Sequence, residues 1–325
     1  MLDNKIVNRG RNTSIDVAKG ITMLLVIWKH VCNNLPVAEC FGTFNGFIGT
    51  MYMPCFFLLS GYFLKQEAFG SFVRKKIQTL LWPFIFTYLL SFVIAILVDN
   101  LMPGVMKNEV NIMNVFYSRN FTNGPIWFLS ALFMAMIVVY WINRLPRESY
   151  RIVAAVVVGT LGYYWNRLFC FRLPMFFDTG LTAVLFVYAG RWIKQLTEKE
   201  NKRFDYLLFG VLTFTLGFNY GMGCSMQDNS YPDNIILFVT TSTIGTLAVV
   251  LISKAIMENR ILQYIGRNSL IILCFHMFVI MVAALVVKKM NLDNALALIL
   301  CFVISTIVII AIIPIVKKTL FFVFK

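Results

Sequence analysis

The sequence is short of charge: only 14% of its 325 residues are Asp, Glu, Lys or Arg, against roughly 25% in soluble globular domains. It is short of acid as well, with 15 Asp and Glu against 29 Lys and Arg, and it has only two histidines, His30 and His276. Hydrophobic residues supply 59% of the chain and aromatics 15%, and the mean hydropathy is +0.76. That much apolar surface has no place in a soluble fold, which excludes two ordinary soluble domains. A net charge of +14 in a soluble chain would suggest nucleic acid. Here the cations fall in short clusters between apolar runs of about 20 residues, the positive-inside pattern of a membrane protein, so no nucleic-acid partner is expected.

Cysteine is present but unpatterned. Cys32, Cys40, Cys55, Cys170, Cys224, Cys274 and Cys301 show neither CxxC nor Cys/His spacing, so no disulfide framework is implied and no metal is expected. A cleavable leader is also missing. The first apolar segment, about 15–35, is interrupted by Asp16, Lys19, Lys29 and His30 and is followed by no small-residue cleavage site, so it reads as a retained span.

Hydropathy predicts an all-α, polytopic membrane helix bundle of about ten transmembrane helices, at 15–35, 44–64, 77–98, 125–143, 152–166, 178–193, 206–220, 234–256, 268–287 and 295–316. With the N-terminus in the cytoplasm, inner segments receive 21 Lys and Arg and outer segments six, which places both termini in the cytoplasm. The organisation read from this is a cytoplasmic N-terminal segment 1–14, a single transmembrane domain 15–316 and a basic cytoplasmic tail 317–325, with no internal repeat and no appended soluble domain. The longest outer connection, 99–124, predicts a short interfacial helix over 110–117.

The most informative stretch is the first span, RNTSIDVAKGITMLLVIWKHV. Charged side chains inside a bilayer are costly and usually mark function. Lys19 and His30 are eleven residues apart, about three turns plus 20°, and so share a helix face; Asp16 sits one turn before Lys19 and is placed to pair with it. That face carries an acid, a base and an imidazole in line. Histidine, with an unperturbed pKa of about 6.5, suits proton transfer near neutrality. His276, in SLIILCFHMF, reads equally as functional or as tied into an interhelical hydrogen bond. Lys29 reads as an outer-end snorkelling residue.

Further on, MPCFFLLSGYFL at 53–64 includes Ser60-Gly61, a small pair suited to close helix approach. The cluster Arg74, Lys75 and Lys76 suits either an anionic headgroup or the phosphates of a nucleotide-bearing cofactor, and composition does not choose between them. Trp127 in IWFL fits an acceptor contact or an interfacial anchor. Asn268 and Ser269 stand where they would cap the helix bearing His276 or support that ring.

Taken together and in order, SIDVAKGITMLLVIWKH at 14–30, MPCFFLLSGYFL with the basic run leading into LLWPF, IWFLSALF at 126–133, LPMFFDTGLTAVLFVYAGRWIK at 173–194 and IGRNSLIILCFH at 265–276 resemble membrane acyltransferase family 3. These are bacterial multi-span O-acyltransferases similar to fucose and exopolysaccharide O-acetylases. The hallmark of that family, an arginine and a histidine with ten residues between, falls on Lys19 and His30. Lysine keeps the charge there but loses the bidentate fork. The resemblance implies a multi-pass enzyme of the bacterial cytoplasmic membrane that moves an acetyl or similar short acyl group from acetyl-CoA, its donor substrate, to a sugar hydroxyl of a surface glycan or its precursor. His30 would be the base or a transient acyl carrier, supported by Lys19 and Asp16, with Arg74, Lys75 and Lys76 on the donor phosphates. Ser60, Trp127, Asn268, Ser269 and His276 would lie along the substrate path. The partners are then the lipid bilayer, acyl-CoA and the glycan acceptor, with oligomeric state open. The competing class is a proton-coupled transporter or flippase for a sugar or lipid-linked glycan, in which Asp16, Lys19 and His30 would form a proton relay.

Overall fold

The computed structural model describes residues 12–65, 67–101, 111–118, 123–197, 203–219, 224–256 and 258–324. Among these the chain is helical, and its only extended pairing is a single antiparallel bridge between Ser225 and Ser230. The helices are α1 (Thr13–Asn34), α2 (Gly42–Tyr62), α3 (Phe69–Lys76), α4 (Trp82–Leu101), α5 (Trp127–Ile142), α6 (Glu148–Phe169), α7 (Phe177–Thr197), α8 (Arg203–Asn219), α9 (Ile235–Ile256), α10 (Arg260–Arg267), α11 (Ser269–Lys288) and α12 (Asn294–Thr319).

Ten of these, all but α3 and α10, fall at the ten expected positions. The largest offset is at α4, where α3 runs on through a π-helical stretch, Ile77–Leu81, into one 33-residue helical run, Phe69–Leu101. Hydropathy was blind to α3 and α10 because FGSFVRKK and RILQYIGR are amphipathic rather than apolar; Asn259, whose side chain accepts from Leu262 N at 2.9 Å, is the N-cap that signals α10. The interfacial helix expected over 110–117 is a 3-10 turn, Ile112–Val115, pinned by Tyr88 Oη donating to the Ile112 carbonyl at 2.8 Å. The remainder of that connection, 102–110 and 119–122, lies outside the described residues, as do residues 1–11 of the N-terminal segment and Lys325 of the tail.

Among the described residues, six helical runs are long and apolar enough to cross a membrane: Phe69–Leu101, Gly124–Ile142, Glu148–Phe169, Ile235–Ile256, Ser269–Lys288 and Asn294–Thr319. Three of the other long helices, α1, α2 and α7, are less apolar because they sit inside the bundle. Helix α1 packs against α2, α9, α10, α11 and α12, and α7 packs among α2, α5 and α6. A helix surrounded by protein needs no lipid-facing stripe and tolerates polar groups that a peripheral one does not. The periphery is the reverse: α6 exposes Val153, Val156 and Val157, and α12 exposes Leu296, Ile299 and Ile307, a belt suited to lipid tails.

Two crossings fix the centre. At the α2–α7 contact, a Cβ on Gly61 would stand 1.9 Å from the Val187 carbonyl oxygen, and one on Gly190 would stand 2.2 Å from that of Leu58. At the α1–α10 contact the pair is Gly20 and Gly266, where a Cβ would meet the carbonyl oxygens of Leu262 and Asp16. Only glycine admits backbones this close. Both crossings lie at the end of the bundle where α1 starts, here termed the basic end.

Candidate active site

His30 lies one turn before the end of α1, at the far end from the basic one. Its ring borders a cavity of about 550 Å³. Helix α1 also contributes Lys29, Asn33 and Asn34 to the wall, α2 contributes Tyr52, and α11 contributes Met277 and Met281. The remaining wall is Gly124-Pro125 and the hairpin 224–228. Tyr52 meets His30 edge-on, with ring centroids 6.4 Å apart.

Behind His30 is the other histidine. The two rings, on helices far apart in sequence, have centroids 5.1 Å apart and are tilted by 57°. His276 is buried, and its Nδ1 lies 2.8 Å from the Ile272 carbonyl oxygen and 3.0 Å from that of Leu273. A carbonyl only accepts, so Nδ1 carries the hydrogen and Nε2 carries the lone pair. That Nε2 is buried with no protein partner among the described residues. An unfilled acceptor inside the bundle is costly, and it sits beside the one other imidazole in the chain.

The cavity roof is the hairpin. Its backbone closes between Ser225 and Ser230 with two bonds of 3.0 Å, and it is tied to α7 by Thr179 Oγ1 donating to the Met226 carbonyl at 2.8 Å. Arg172 donates to the Gln227 carbonyl at 2.9 Å and forms an ion pair with the fully buried Asp178 at the start of α7. Cys224 donates to the Gly49 carbonyl at 3.2 Å, and burial pushes its thiol up to about 12, so it stays protonated at neutral pH. Lys29, expected as an outer-end residue, turns its ammonium against Gly49, 3.4 Å from where a Cβ there would stand, within the same cavity as His30.

The other sequence candidates sit elsewhere. Lys19 and Asp16 share the helix with His30 but lie about 16 and 21 Å down its axis. Lys19 Nζ is 4.6 Å from the Phe63 ring centroid, and Asp16, which is buried, accepts from Arg267 Nε at 3.0 Å, pinning α10 to α1. Lys75 pairs with Glu67 at 2.6 Å and Lys76 lies over Phe72 at 5.5 Å; Arg74 and Lys75 are exposed and Lys76 is half-buried. Glu67, outside the helices, is held below the usual carboxylate range by the Lys75 hydrogen bond.

Ser60 Oγ is spent on the Phe56 carbonyl at 2.7 Å within its own helix at the basic end. Trp127 is buried among Phe57, Phe128 and Phe176, so it is neither an interfacial anchor nor part of the cavity wall. Asn268 precedes α11, but its side chain donates back to the Tyr264 carbonyl at 2.7 Å and closes α10 instead of capping the next helix. Ser269 opens α11. The cavity therefore joins His30, backed by the buried His276, to Lys29, Tyr52 and the hairpin. The hairpin carried no sequence signal beyond its turn residues Asp228-Asn229.

A family model described as an acyltransferase domain matches residues 12–314, a stretch that contains every residue of the cavity wall. No curated protein and no solved structure matches the chain.

Proposed function

The chain belongs to acyltransferase family 3 and is a multi-pass membrane acyltransferase, and on that premise we propose that it moves an acetyl or similar short acyl group from acyl-CoA to a sugar hydroxyl of a surface glycan or its precursor. In this reading ten helices span the bacterial cytoplasmic membrane with both termini and the basic end inside. The donor reaches in from the cytoplasm, and the acceptor occupies the far cavity.

His30 is the general base. Its free ring nitrogen takes the proton of the acceptor hydroxyl as that oxygen attacks the thioester carbonyl; the tetrahedral oxyanion then collapses, and the departing thiolate takes the proton back from His30. His276 is the positioning residue. With Nδ1 fixed on its own helix, its unfilled Nε2 is placed to accept the N–H of His30 once that ring turns towards it, which would leave the second nitrogen of His30 facing the cavity, the base-and-orienter logic of a triad without the carboxylate. Lys29 supplies positive charge next to His30 for the oxyanion. The amides Asn33, Asn34 and Gln227, with Asp228 and Tyr52, offer the neutral and acidic hydrogen-bonding groups that a polyhydroxyl acceptor needs. Lys19 and Asp16, about three and four turns below, act on the donor's path and on the α1–α10 contact, not on the reacting carbonyl.

The observation that carries this reading is the pair of imidazoles, one open to a polar cavity and one behind it with an unfilled nitrogen. It is tested by incubating membranes containing wild type or His30→Ala with labelled acetyl-CoA and a host glycan extract, following CoA release and label in the glycan. Transfer by wild type that His30→Ala abolishes while still reaching the membrane supports the reading. Equal transfer by both removes His30 from the chemistry.

A further inference from the structure

At the basic end, α2, α5, α6 and α7 enclose a second cavity, of about 410 Å³, which no role described above requires. Five cations line it, Lys65, Arg144, Arg151, Arg191 and Lys194, drawn from four separate stretches of chain. The carboxylate that meets them is Glu148, paired with Arg191 and 3.7 Å from Arg151. Topology rules call for cations at this end of the bundle, but not for their convergence on one concavity.

The guanidinium groups are also braced. Arg144 lies 3.5 Å from the Tyr140 ring centroid and its terminal nitrogens donate to the carbonyls of Tyr140 and Glu67. Arg191 lies 4.1 Å from the Tyr188 ring and 5.3 Å from that of Trp192. Stacking on aromatic planes holds each fork in place, so little side-chain freedom is lost when an anion docks. Arg191 has more to give: its Nε is buried and finds no hydrogen-bond partner among the described residues. A fixed donor without an acceptor, beside five cations that among the described residues meet one carboxylate, Glu148, asks for a multiply charged oxyanion.

We propose that this cavity is a phosphate-ester site, and that it takes the nucleotide end of the acyl donor in place of the Arg74–Lys76 cluster of α3. The assignment rests on the acyl-CoA reading for the identity of the donor, while the phosphate-ester chemistry stands on the cavity alone. It also suits the layout: Tyr62, on the wall of this cavity, lies ten residues along α2 from Tyr52 on the wall of the other, about 15 Å of helix, so a donor seated here points its thioester arm along α2 towards His30. The same chemistry is carried by an anionic phospholipid headgroup, which is the second source to be tested.

The probe is adenosine 3′,5′-bisphosphate, which has the phosphates of the donor but no thioester arm. Its affinity for the full-length protein in neutral detergent is measured by titration calorimetry for wild type, Arg191→Gln, Lys65→Gln with Lys194→Gln, and Arg74→Gln with Lys75→Gln and Lys76→Gln. Phospholipid that stays bound through purification is read by native mass spectrometry. Lys65 and Lys194 are exposed, so their double variant keeps the test alive if Arg191→Gln does not fold. The expected result is bisphosphate binding that weakens about ten- to a hundredfold in the cavity variants, the worth of one or two charge-assisted bonds, and less than about threefold in the α3 variant. Retained anionic lipid that the cavity variants lose, with no bisphosphate binding, keeps the phosphate-ester site and assigns it to the headgroup. Bisphosphate binding and lipid retention that both survive the cavity substitutions overturn the proposal. Binding to wild type without acyl transfer leaves the site standing and removes the enzymatic reading instead.

Discussion

The two ends of the bundle hold cavities of comparable size and opposite character. The one at the basic end, about 410 Å³, is walled by five cations and tyrosine rings. The one at the far end, about 550 Å³, has a single lysine, one aspartate, three amides, a tyrosine and His30. Arginine is a good grip for phosphate and a poor proton carrier, because it stays charged at every accessible pH; histidine has the reverse talents. The difference suggests a division of labour along one helical scaffold, with recognition of charge at one end and proton transfer at the other, joined by α2 and α7 crossing at Gly61 and Gly190.

The sharpest way to break that division is His30→Ala. It is expected to lower acyl transfer by about 10²- to 10⁴-fold, the span attributed to a positioned general base, with bisphosphate affinity unchanged; parallel transfer assays and calorimetry read the two. Next comes the scaffold. Gly190→Leu, where even a Cβ meets the Leu58 carbonyl at 2.2 Å, is expected to force the α2–α7 crossing apart and cost about 3 kcal/mol or more, seen as a lowered melting temperature in detergent and the loss of both functions together.

His276→Ala is expected to reduce kcat by about ten- to a hundredfold, the usual range when the partner of a functional imidazole is lost, with KM little changed. His276→Asn, which keeps a hydrogen-bond acceptor, is expected to recover part of the loss, an outcome that a purely structural histidine would not give. Arg172→Met frees the hairpin roof without touching the histidines. It is expected to raise KM for the acceptor roughly tenfold, the worth of one charge-assisted bond, while leaving the donor's KM alone.

The smallest effect belongs to the α3 surface. Glu67 is held below the usual carboxylate range by Lys75, so its contribution is fully present above its ordinary pKa and is lost only as the pH falls through the lowered one. Glu67→Gln is therefore expected to run slightly and evenly below the wild-type melting-temperature profile between about pH 5 and 8, and to converge with it in more acid buffer.

Much of this architecture was legible from hydropathy, and the reason is physical: spans of about 20 apolar residues announce themselves. The boundaries of α1, expected at 15–35 and found at Thr13–Asn34, show how well a capping Asn12 and a polar exit confine such a span. What hydropathy missed were amphipathic pieces, α3 and α10, whose apolar residues are too few to register. His30 was legible because a charged or polar group in a span needs a reason. Its partner was not, since nothing local to SLIILCFHMF says that His276 meets α1; only the packing of α11 on α1 does. Asp16 taught the same lesson: spacing offered only its neighbour Lys19 as a partner, and the tertiary fold adds Arg267, 251 residues away. The basic cavity was invisible for a similar reason, because its five cations are spread from Lys65 to Lys194 and each alone reads as topology.

The central claim is that binding and proton transfer reside in different cavities. It is tested most directly by taking His30→Ala and Arg191→Gln through the same two measurements, equilibrium binding of adenosine 3′,5′-bisphosphate and transfer from labelled acetyl-CoA at rising donor concentration. The account predicts a crossed result: His30→Ala binds like wild type and stays about 10²- to 10⁴-fold slower at every donor level, whereas Arg191→Gln binds weakly and regains transfer as the donor approaches saturation. Two folded variants that lose binding and transfer in the same proportion would contradict it.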